Sequence, residues 1–304
     1  MTLRHSLLAL GALFAAGLAS PAAAQPAVAD TLTAADGWQR TLAVQLAGSQ
    51  AAYRNWQEGG VSAVAATGSV DGFFARANGA IRQAHEFRAA LGVLQQDTLA
   101  LRKADDVARY GFGLEYDLGG PVRPSLALTA RTQFAAGFDY NVEAGEYDDV
   151  PVAPNADGFV KVSDAAAPLY LTQSLGVVYD PGGGFSARTG LGLKETVVAI
   201  ERLRPLYGNA LDQQVRTEVG LDAELRVVRP LMENVLLSSR LSAFQAFNQV
   251  GDTAPDVLWE NRVVLTVNPI LNVTLDTGTL YDRDLSDELQ LRQSLAVGVG
   301  FSLL

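Results

Sequence analysis

Charged side chains occupy alternate positions of residues 215–228, and this spacing limits the chemistry that they can do. The charges in this stretch are Arg216, Glu218, Asp222, Glu224 and Arg226. Gly220 is the one uncharged residue in this row between Arg216 and Arg226, and apolar or mildly polar residues stand at the positions between the charges. A period of two indicates a β-strand, so the five charges share one face and the apolar residues share the other. Such a row can line a polar passage or pair with neighbouring strands, and it contains no nucleophile.

Twelve segments of the chain show this alternation, and most of them have about 11–15 residues. They are residues 38–50, 61–75, 81–95, 107–117, 124–137, 169–180, 185–197, 214–228, 234–247, 256–267, 271–282 and 290–304. Strands of soluble proteins have roughly 5–6 residues, whereas the longer segments can cross a bilayer at a tilt. A soluble sandwich would cover the apolar faces with a second sheet, and a membrane barrel would turn them toward lipid.

The connections between the segments favour the barrel. Every second connection is a short turn that contains Gly, Pro or Asn, as in "ANG" at 77–79 and "DPGGG" at 180–184. The others are longer, at 49–60, 96–106, 138–168, 199–213, 248–256 and 281–289. Short turns on one side and long loops on the other are typical of outer-membrane barrels. The sequence therefore predicts an all-β fold, a transmembrane antiparallel up-and-down β-barrel of twelve strands in the bacterial outer membrane.

The polar parity of these strands identifies candidate lumen-lining residues. They are Arg109, Glu115, Arg131, Arg188, Arg216, Glu218, Asp222, Glu224, Arg226, Arg240, Glu260, Arg262 and Asp276. One interpretation is a narrow channel for small polar solutes. The other is a network of ion pairs that fills the barrel and leaves a structural or partner-docking protein without conductance.

The apolar parity carries aromatic residues that sort toward the two ends of the strands. Those expected at the short-turn end are Trp38, Tyr116, Tyr179, Phe185 and Phe301, and those at the long-loop end are Tyr110, Phe134, Phe247, Trp259 and Tyr281. Aromatic bands at both interfaces are a feature of membrane barrels. The partners expected from this pattern are outer-membrane lipid and lipopolysaccharide. The alternating C-terminal strand, 290–304, predicts recognition by the outer-membrane assembly machinery.

The N-terminus predicts export. A basic start at Arg4 and His5 precedes an apolar run at 7–19 and "AAA" before Gln25. This order indicates a signal peptide over 1–24, a short periplasmic lead-in over 25–36 and the barrel over 37–304. The alternative is an uncleaved anchor helix, but the apolar run is shorter than the roughly 20 residues that a span needs.

Composition excludes several function classes. The net charge is −10 and the pI is about 4.7, which disfavours nucleic-acid binding. The chain has no Cys and only two His, so neither a thiolate nor a histidine metal site is expected. We therefore predict no metal and no cofactor.

Two features could still carry chemistry. The loop at 138–168 has seven acidic residues and one Lys, which could attract cations or could be a solvated acidic loop. His85 could act with a serine, as in barrels that hydrolyse lipids. It shares the apolar parity of its strand, however, and Ser69 has the lumen parity, so we predict that the chain is not an enzyme.

Five motifs stand in a characteristic order: "NWQEGG" at 55–60, "RKADD" at 102–106, "TQFAAGFDY" at 132–140, "APLYLTQSLGVVYDP" at 167–181 and "TLYDRD" at 279–284. In this order they resemble the bacterial outer-membrane family known as DUF3078, over about residues 37–304. The pair that follows Gly-Gly in this family is usually Asn-Ser, and here it is Val61-Ser62. The resemblance implies a β-barrel and an outer-membrane location, and it implies no substrate and no catalytic residue.

Overall fold

A computed structural model describes residues 37–52, 61–97, 99–248 and 254–303. The strands formed by these residues are β1 (Gly37–Ala51), β2 (Ala63–Asn78), β3 (Ile81–Gln96), β4 (Arg102–Tyr116), β5 (Val122–Thr132), β6 (Gly137–Asp139), β7 (Val160–Ser163), β8 (Leu169–Gly182), β9 (Phe185–Val197), β10 (Val215–Met232), β11 (Val235–Ala246), β12 (Asp256–Thr266), β13 (Leu271–Asp282) and β14 (Ser286–Ser302). The predicted signal peptide, the lead-in, the "NWQEGG" motif and Leu304 lie outside the described residues.

Twelve of the strands close into one antiparallel barrel. Each barrel strand pairs with the next one along the chain, β5 pairs with β8, and β14 returns to β1 to close the ring. The alternating sequence explains this arrangement, because closure pairs the backbone groups of every strand and leaves no edge in a membrane. The predicted fold class, an up-and-down barrel of twelve strands, is confirmed.

Apolar side chains cover the outside of the barrel. Leu221 and Leu225 of β10 keep 44% and 43% of their surface exposed. On the same strand, the alternating Glu218, Asp222 and Glu224 are buried at 2%, 7% and 9% exposure. This is the reverse of a soluble sheet and matches the lipid-facing and lumen-facing parities of a membrane barrel.

Tight turns gather at one end of the barrel, as predicted. The hairpins β2–β3, β8–β9 and β10–β11 each close through two residues, at 79–80, 183–184 and 233–234. Gly184 has a φ of +74°, and a Cβ there would lie 1.9 Å from the carbonyl oxygen of Val228. Glycine is thus required at this turn both by its backbone conformation and by the close approach of β10.

Two connections at the other end differ from the expectation. Strand β4 begins at Arg102, so the loop expected at 96–106 shrinks to residues 97–101. Strands β13 and β14 are joined by residues 283–285 alone, where a loop over 281–289 was expected. In both places the strand continues through polar sequence in which neither face is apolar, so the alternation that marks a membrane strand is lost.

Two additional elements lie at the long-loop end. Strands β6 and β7 form a separate two-stranded sheet within residues 133–168. A 3₁₀ helix, Glu201–Tyr207, lies between β9 and β10 and contains the fully buried Leu203. The hydroxyl of Tyr207 donates to the carbonyl oxygen of Val162 at 2.8 Å, which ties the helix to the sheet. No helix in the described part of the chain is long and apolar enough to cross a membrane.

Candidate functional site

The middle of the lumen holds a group of ion pairs that we call the Glu86 cluster: Glu86, Arg109, Glu224, Arg226, Arg240 and Glu260. The carboxylate of Glu86 lies 2.5 Å from Arg240, 2.7 Å from Arg226 and 3.5 Å from Arg109. Arg109 also binds Glu260 at 2.5 Å, and Arg226 binds Glu224 at 2.6 Å. Each arginine therefore contacts two carboxylates, because Arg240 also lies 3.8 Å from Glu224.

The Glu86 cluster crosses the lumen. Its members come from β3, β4, β10, β11 and β12, and in the ring of twelve strands β3 lies opposite β11 and β4 lies opposite β12. The contacts Glu86–Arg240 and Arg109–Glu260 therefore join opposite walls. Long arginine side chains from one wall meet carboxylates from the other, which narrows the lumen at this level.

Further ion pairs lie on the lumen face around the cluster. Arg262 binds Asp276 at 2.7 Å and approaches Asp71 at 3.7 Å. Arg188 binds Asp222 at 2.5 Å. At the long-loop end, Arg292 of β14 reaches Asp105 of β4 at 2.9 Å.

The short-turn end has its own ion pairs. Arg123 lies 2.7 Å from both Glu115 and Asp180 and is 5% exposed. Asp117, which follows β4, binds Arg82 at 2.5 Å and accepts the Gly119 amide hydrogen at 2.8 Å. The Gly119 N–H is the largest influence that lowers the pKa of Asp117, followed by the hydrogen bond from Arg82.

A second cluster lies at the long-loop end, beneath the 3₁₀ helix. Lys194 binds Asp256 and lies 3.4 Å from Glu218, while Arg216 binds Asp284 and lies 3.2 Å from the same glutamate. Asp256, Asp282 and Asp284 bring carboxylate oxygens within 4.8 Å of one another. Lys194 and Arg216 already neutralise two of these three acids, Asp256 and Asp284. That the protein binds no metal stays a prediction.

The loops of this end fold over part of the barrel mouth. A Cβ on Gly208, just after the 3₁₀ helix, would lie 2.9 Å from a carboxylate oxygen of Asp284 and 3.1 Å from Arg216. Burial raises the pKa of Tyr207 to about 12. In the acidic loop, burial and a hydrogen bond to Asp139 raise the pKa of Tyr147. The hydrogen bond from Lys161 lowers the pKa of Asp164.

A cavity of about 490 Å³ follows the lumen. Ten of the thirteen candidate lumen residues line it: Arg109, Glu115, Arg131, Arg188, Glu224, Arg226, Arg240, Glu260, Arg262 and Asp276. Arg216, Glu218 and Asp222 lie outside it, in ion pairs on the inner wall. In its long-loop half the cavity is bounded by residues 47–49, 65–67, 104–107, Arg131 and residues 292–296, so it lies on the side of β1, β2, β4, β5 and β14.

The candidate aromatic residues mostly face outward near the strand ends. Exposed fractions lie between 38% and 61% for Trp38, Tyr110, Tyr116, Phe134, Tyr179, Phe247, Trp259 and Phe301, while Phe185 and Tyr281 are half-buried. Arg40 and Arg76 lie over the Trp38 ring at 5.8 Å, a combination suited to lipid headgroups. Tyr110 differs from the expectation, because β4 begins at Arg102 and Tyr110 therefore lies in mid-strand.

His85 lies on the outer face. Its Nδ1 lies 2.8 Å from the hydroxyl of Tyr110, and its ring packs on Phe112 with centroids 5.1 Å apart. Ser69 is buried on the lumen side of the neighbouring strand. The structure therefore does not bring these two residues together.

The lumen parity also predicts an inward position for Glu86, which is not among the thirteen candidates named above and which contacts more arginines than any other carboxylate of the described lumen residues. Its inward position could be read from the alternation of Arg82, Glu86 and Arg88 in β3. The same alternation predicts an inward position for Lys194, whereas Asp256 was missed. Lys194 shares the lumen parity of β9, but Asp256 stands at the first position of β12, where no flanking alternation marks its direction.

Comparison with known families supports the resemblance for part of the chain. Residues 49–138 match the DUF3078 family model, a protein of unknown function. The match contains the "RKADD" motif and ends within "TQFAAGFDY", and the two later motifs lie outside it. No curated protein matches the chain.

Solved structures with a similar fold include bacterial membrane barrels. The translocator domain of the autotransporter NalP from Neisseria meningitidis has 12% identity and a TM-score of 0.35, over 88% of each chain. An outer-membrane channel from Pseudomonas putida F1 has 10% identity and a TM-score of 0.39, over 91% of this chain and 98% of the other. These values are too low to transfer a solute or a role to the present protein.

The molecule's own surface decides its location. A closed antiparallel barrel with an apolar outer face and a charged interior is the architecture of outer-membrane proteins. The predicted outer-membrane location is thereby confirmed.

Proposed function

We propose that this barrel is a narrow passage for small polar solutes, and that the Glu86 cluster forms its constriction. The observation that carries the proposal is the cavity of about 490 Å³, which contacts charged residues in both halves of the barrel. Its lining includes Glu115, Arg123 and Asp180 near the short turns and Asp105 near the long loops. Cavities of roughly 300–1,000 Å³ are the size that accommodates small molecules in proteins.

The lining favours polar solutes over apolar ones. A solute that passes the Glu86 cluster has to separate Glu86 from Arg240 or Arg109 from Glu260, because these contacts join opposite walls. A polar solute replaces the lost hydrogen bonds with its own, whereas an apolar solute leaves buried charges without partners. The constriction thus selects by hydrogen-bonding capacity as well as by size.

Conductance in planar bilayers tests the proposal. We expect small, stable steps from the purified wild-type barrel and larger steps from the double variant Glu86→Gln/Arg240→Gln. This variant removes one negative and one positive charge, so the net charge is unchanged while the cross-lumen contact is weakened. The matched control is Leu225→Val, which alters only the outer face and should conduct as the wild type does. Silence of both the wild type and the double variant, with folding verified, would reject a passage.

The second candidate is a non-conducting structural or partner-docking barrel. It is favoured by the same ion pairs across the lumen and by the loops that cover the mouth next to Asp284. Silent bilayers would support it. That the chain is not an enzyme also stays a prediction, and lipid hydrolysis by the wild type that is lost in His85→Ala would contradict it.

A further inference from the structure

Three arginines stand side by side on the lumen face of neighbouring strands. Arg88 of β3 is the cross-strand partner of Arg109 of β4, and Arg109 is the partner of Arg131 of β5. All three side chains have the inward parity and line the cavity. Like charges at directly opposite positions of a sheet repel one another, so this row needs negative charge nearby.

Two of the three arginines have that negative charge within the protein. Arg88 makes two hydrogen bonds to Asp71, at 2.9 and 3.0 Å. Arg109 contacts Glu260 and Glu86. Arg131 makes no salt bridge or hydrogen bond with any described residue, and Glu260, already bound to Arg109, attracts it only from beyond ion-pair distance.

A donor of the neighbouring arginine is also unused. The Nε of Arg109 is buried and has no hydrogen-bond partner in the described chain. Arg131 and Arg109 line the same cavity, and Thr129, which precedes Arg131 by two positions on the same face, lines it as well. The guanidinium of Arg131 therefore offers donors to the lumen without an acceptor from the described chain, and its cross-strand neighbour Arg109 has a buried donor that also lacks one.

We propose that this region binds a small oxyanion, a carboxylate or phosphate group, through the guanidinium of Arg131, beside its cross-strand neighbour Arg109. A guanidinium presents a planar pair of N–H groups that matches two oxygens of such an anion. The anion also supplies the negative charge that Arg131, unlike the other two arginines of the row, lacks within the described chain. This inference rests on the proposed passage and defines its solute class: small anionic solutes stop at Arg131 on the way through the lumen.

The charges of the acidic loop at 138–168 are partly neutralised within the protein. Some of its charges are internally engaged, since Asp164 pairs with Lys161 and Asp139 accepts from Tyr147. In the long-loop half the cavity is bounded by Arg131 of β5 as well as by β1, β2, β4 and β14, so the site lies near the end of β5, where the connection that contains this loop begins. Exposed charges further away than about 8–10 Å are largely screened at physiological salt.

The test measures binding in detergent, which does not depend on conductance. Succinate and inorganic phosphate are titrated by calorimetry into the purified full barrel, wild type and variants. Arg131→Gln should weaken the binding of the preferred anion by roughly tenfold or more, as expected for the loss of a charge-assisted contact. Arg131→Lys, which keeps the charge and loses the planar fork, should retain part of the affinity. The matched control, Arg292→Gln, removes another cavity-lining arginine that has Asp105 as its partner, and should change affinity by less than about twofold.

Each outcome decides between the two proposals. Anion binding that depends on Arg131 in a barrel that does not conduct would keep this site and reject the passage. Conductance without anion binding would keep the passage and reject this site. Equal affinity in the wild type and in Arg131→Gln would reject the proposed site. Both proteins should first be shown to be folded by their resistance to unfolding in an unheated denaturing gel. Preference for succinate or for phosphate identifies which oxyanion the site takes.

Discussion

Replacing Glu86 by Gln tests the central ion pairs most directly. The substitution removes one carboxylate that contacts three arginines within 3.5 Å. After the change, Arg109 keeps Glu260 and Arg226 keeps Glu224, while Arg240 retains only Glu224 at 3.8 Å, which Arg226 already occupies. The cluster is left with one positive charge in excess.

The size of the effect follows from that single excess charge. Removing one partner of a buried ion pair costs about 3–5 kcal/mol. The Glu86 side chain keeps 25% of its surface exposed to the cavity, so water offsets part of the loss. We therefore expect Glu86→Gln to lower the free energy of unfolding by about 3 kcal/mol, the lower end of that range.

Urea unfolding in lipid vesicles, followed by tryptophan fluorescence, measures this quantity. The double variant Glu86→Gln/Arg240→Gln removes the excess charge, so it should be more stable than the sum of the two single variants by about 1–2 kcal/mol. Asp105→Asn serves as the control, since its partner Arg292 is more than half exposed and the pair should contribute less than about 1 kcal/mol. A loss below about 0.5 kcal/mol in Glu86→Gln, or strict additivity in the double variant, would refute the reasoning.

Three further predictions concern the outer face, the mouth and a turn. Leu221→Arg places a charge against lipid and should lower the free energy of unfolding in vesicles by about 2–4 kcal/mol. A loss of only about 0–1 kcal/mol, as at a position near the membrane interface, would contradict this prediction. The raised pKa of Tyr207 means that its neutral form stabilises the fold below pH 10; this contribution should be lost as the pH rises from 10 to about 12, and ultraviolet titration of wild type against Tyr207→Phe should show it. Gly184→Ala forces a Cβ against the Val228 carbonyl and should lower the unfolding midpoint far more than Gly183→Ala, where φ is also positive but space is open; equal midpoints would contradict this.

The strands could be predicted wherever one face meets lipid. Strand β9 was expected at 185–197 and is observed at Phe185–Val197, and β13 was expected at 271–282 and is observed at Leu271–Asp282. Both strands have apolar residues at most of their outward positions, such as Leu191 and Leu193 in β9 and Val273 and Leu275 in β13, so the period of two identifies them. The pattern works because the bilayer imposes an apolar requirement on every second residue of a spanning strand.

The parts beyond the lipid could not be predicted in the same way. The first five residues of β4, "RKADD", can be polar on both faces because their side chains contact protein and not lipid. Arg102 packs on Tyr140 and Phe159, and Lys103 binds Asp106. The sheet of β6 and β7 and the 3₁₀ helix also lie in polar sequence, and the helix contains Pro205. Their positions depend on contacts between loops, and such contacts leave no period in the sequence.

The candidate site shows where parity stops being informative. Parity states that Glu86 and Arg240 point inward, but they are separated by 154 residues and belong to opposite walls. Their contact depends on how the strands are staggered when the barrel closes, because a shift of one strand pair by two residues keeps every parity and changes every cross-lumen partner. The same stagger leaves Arg131 beside Arg109 and without a carboxylate of its own. The sequence therefore defines which charges share the lumen, and closure of the ring decides which of them remain available to a solute.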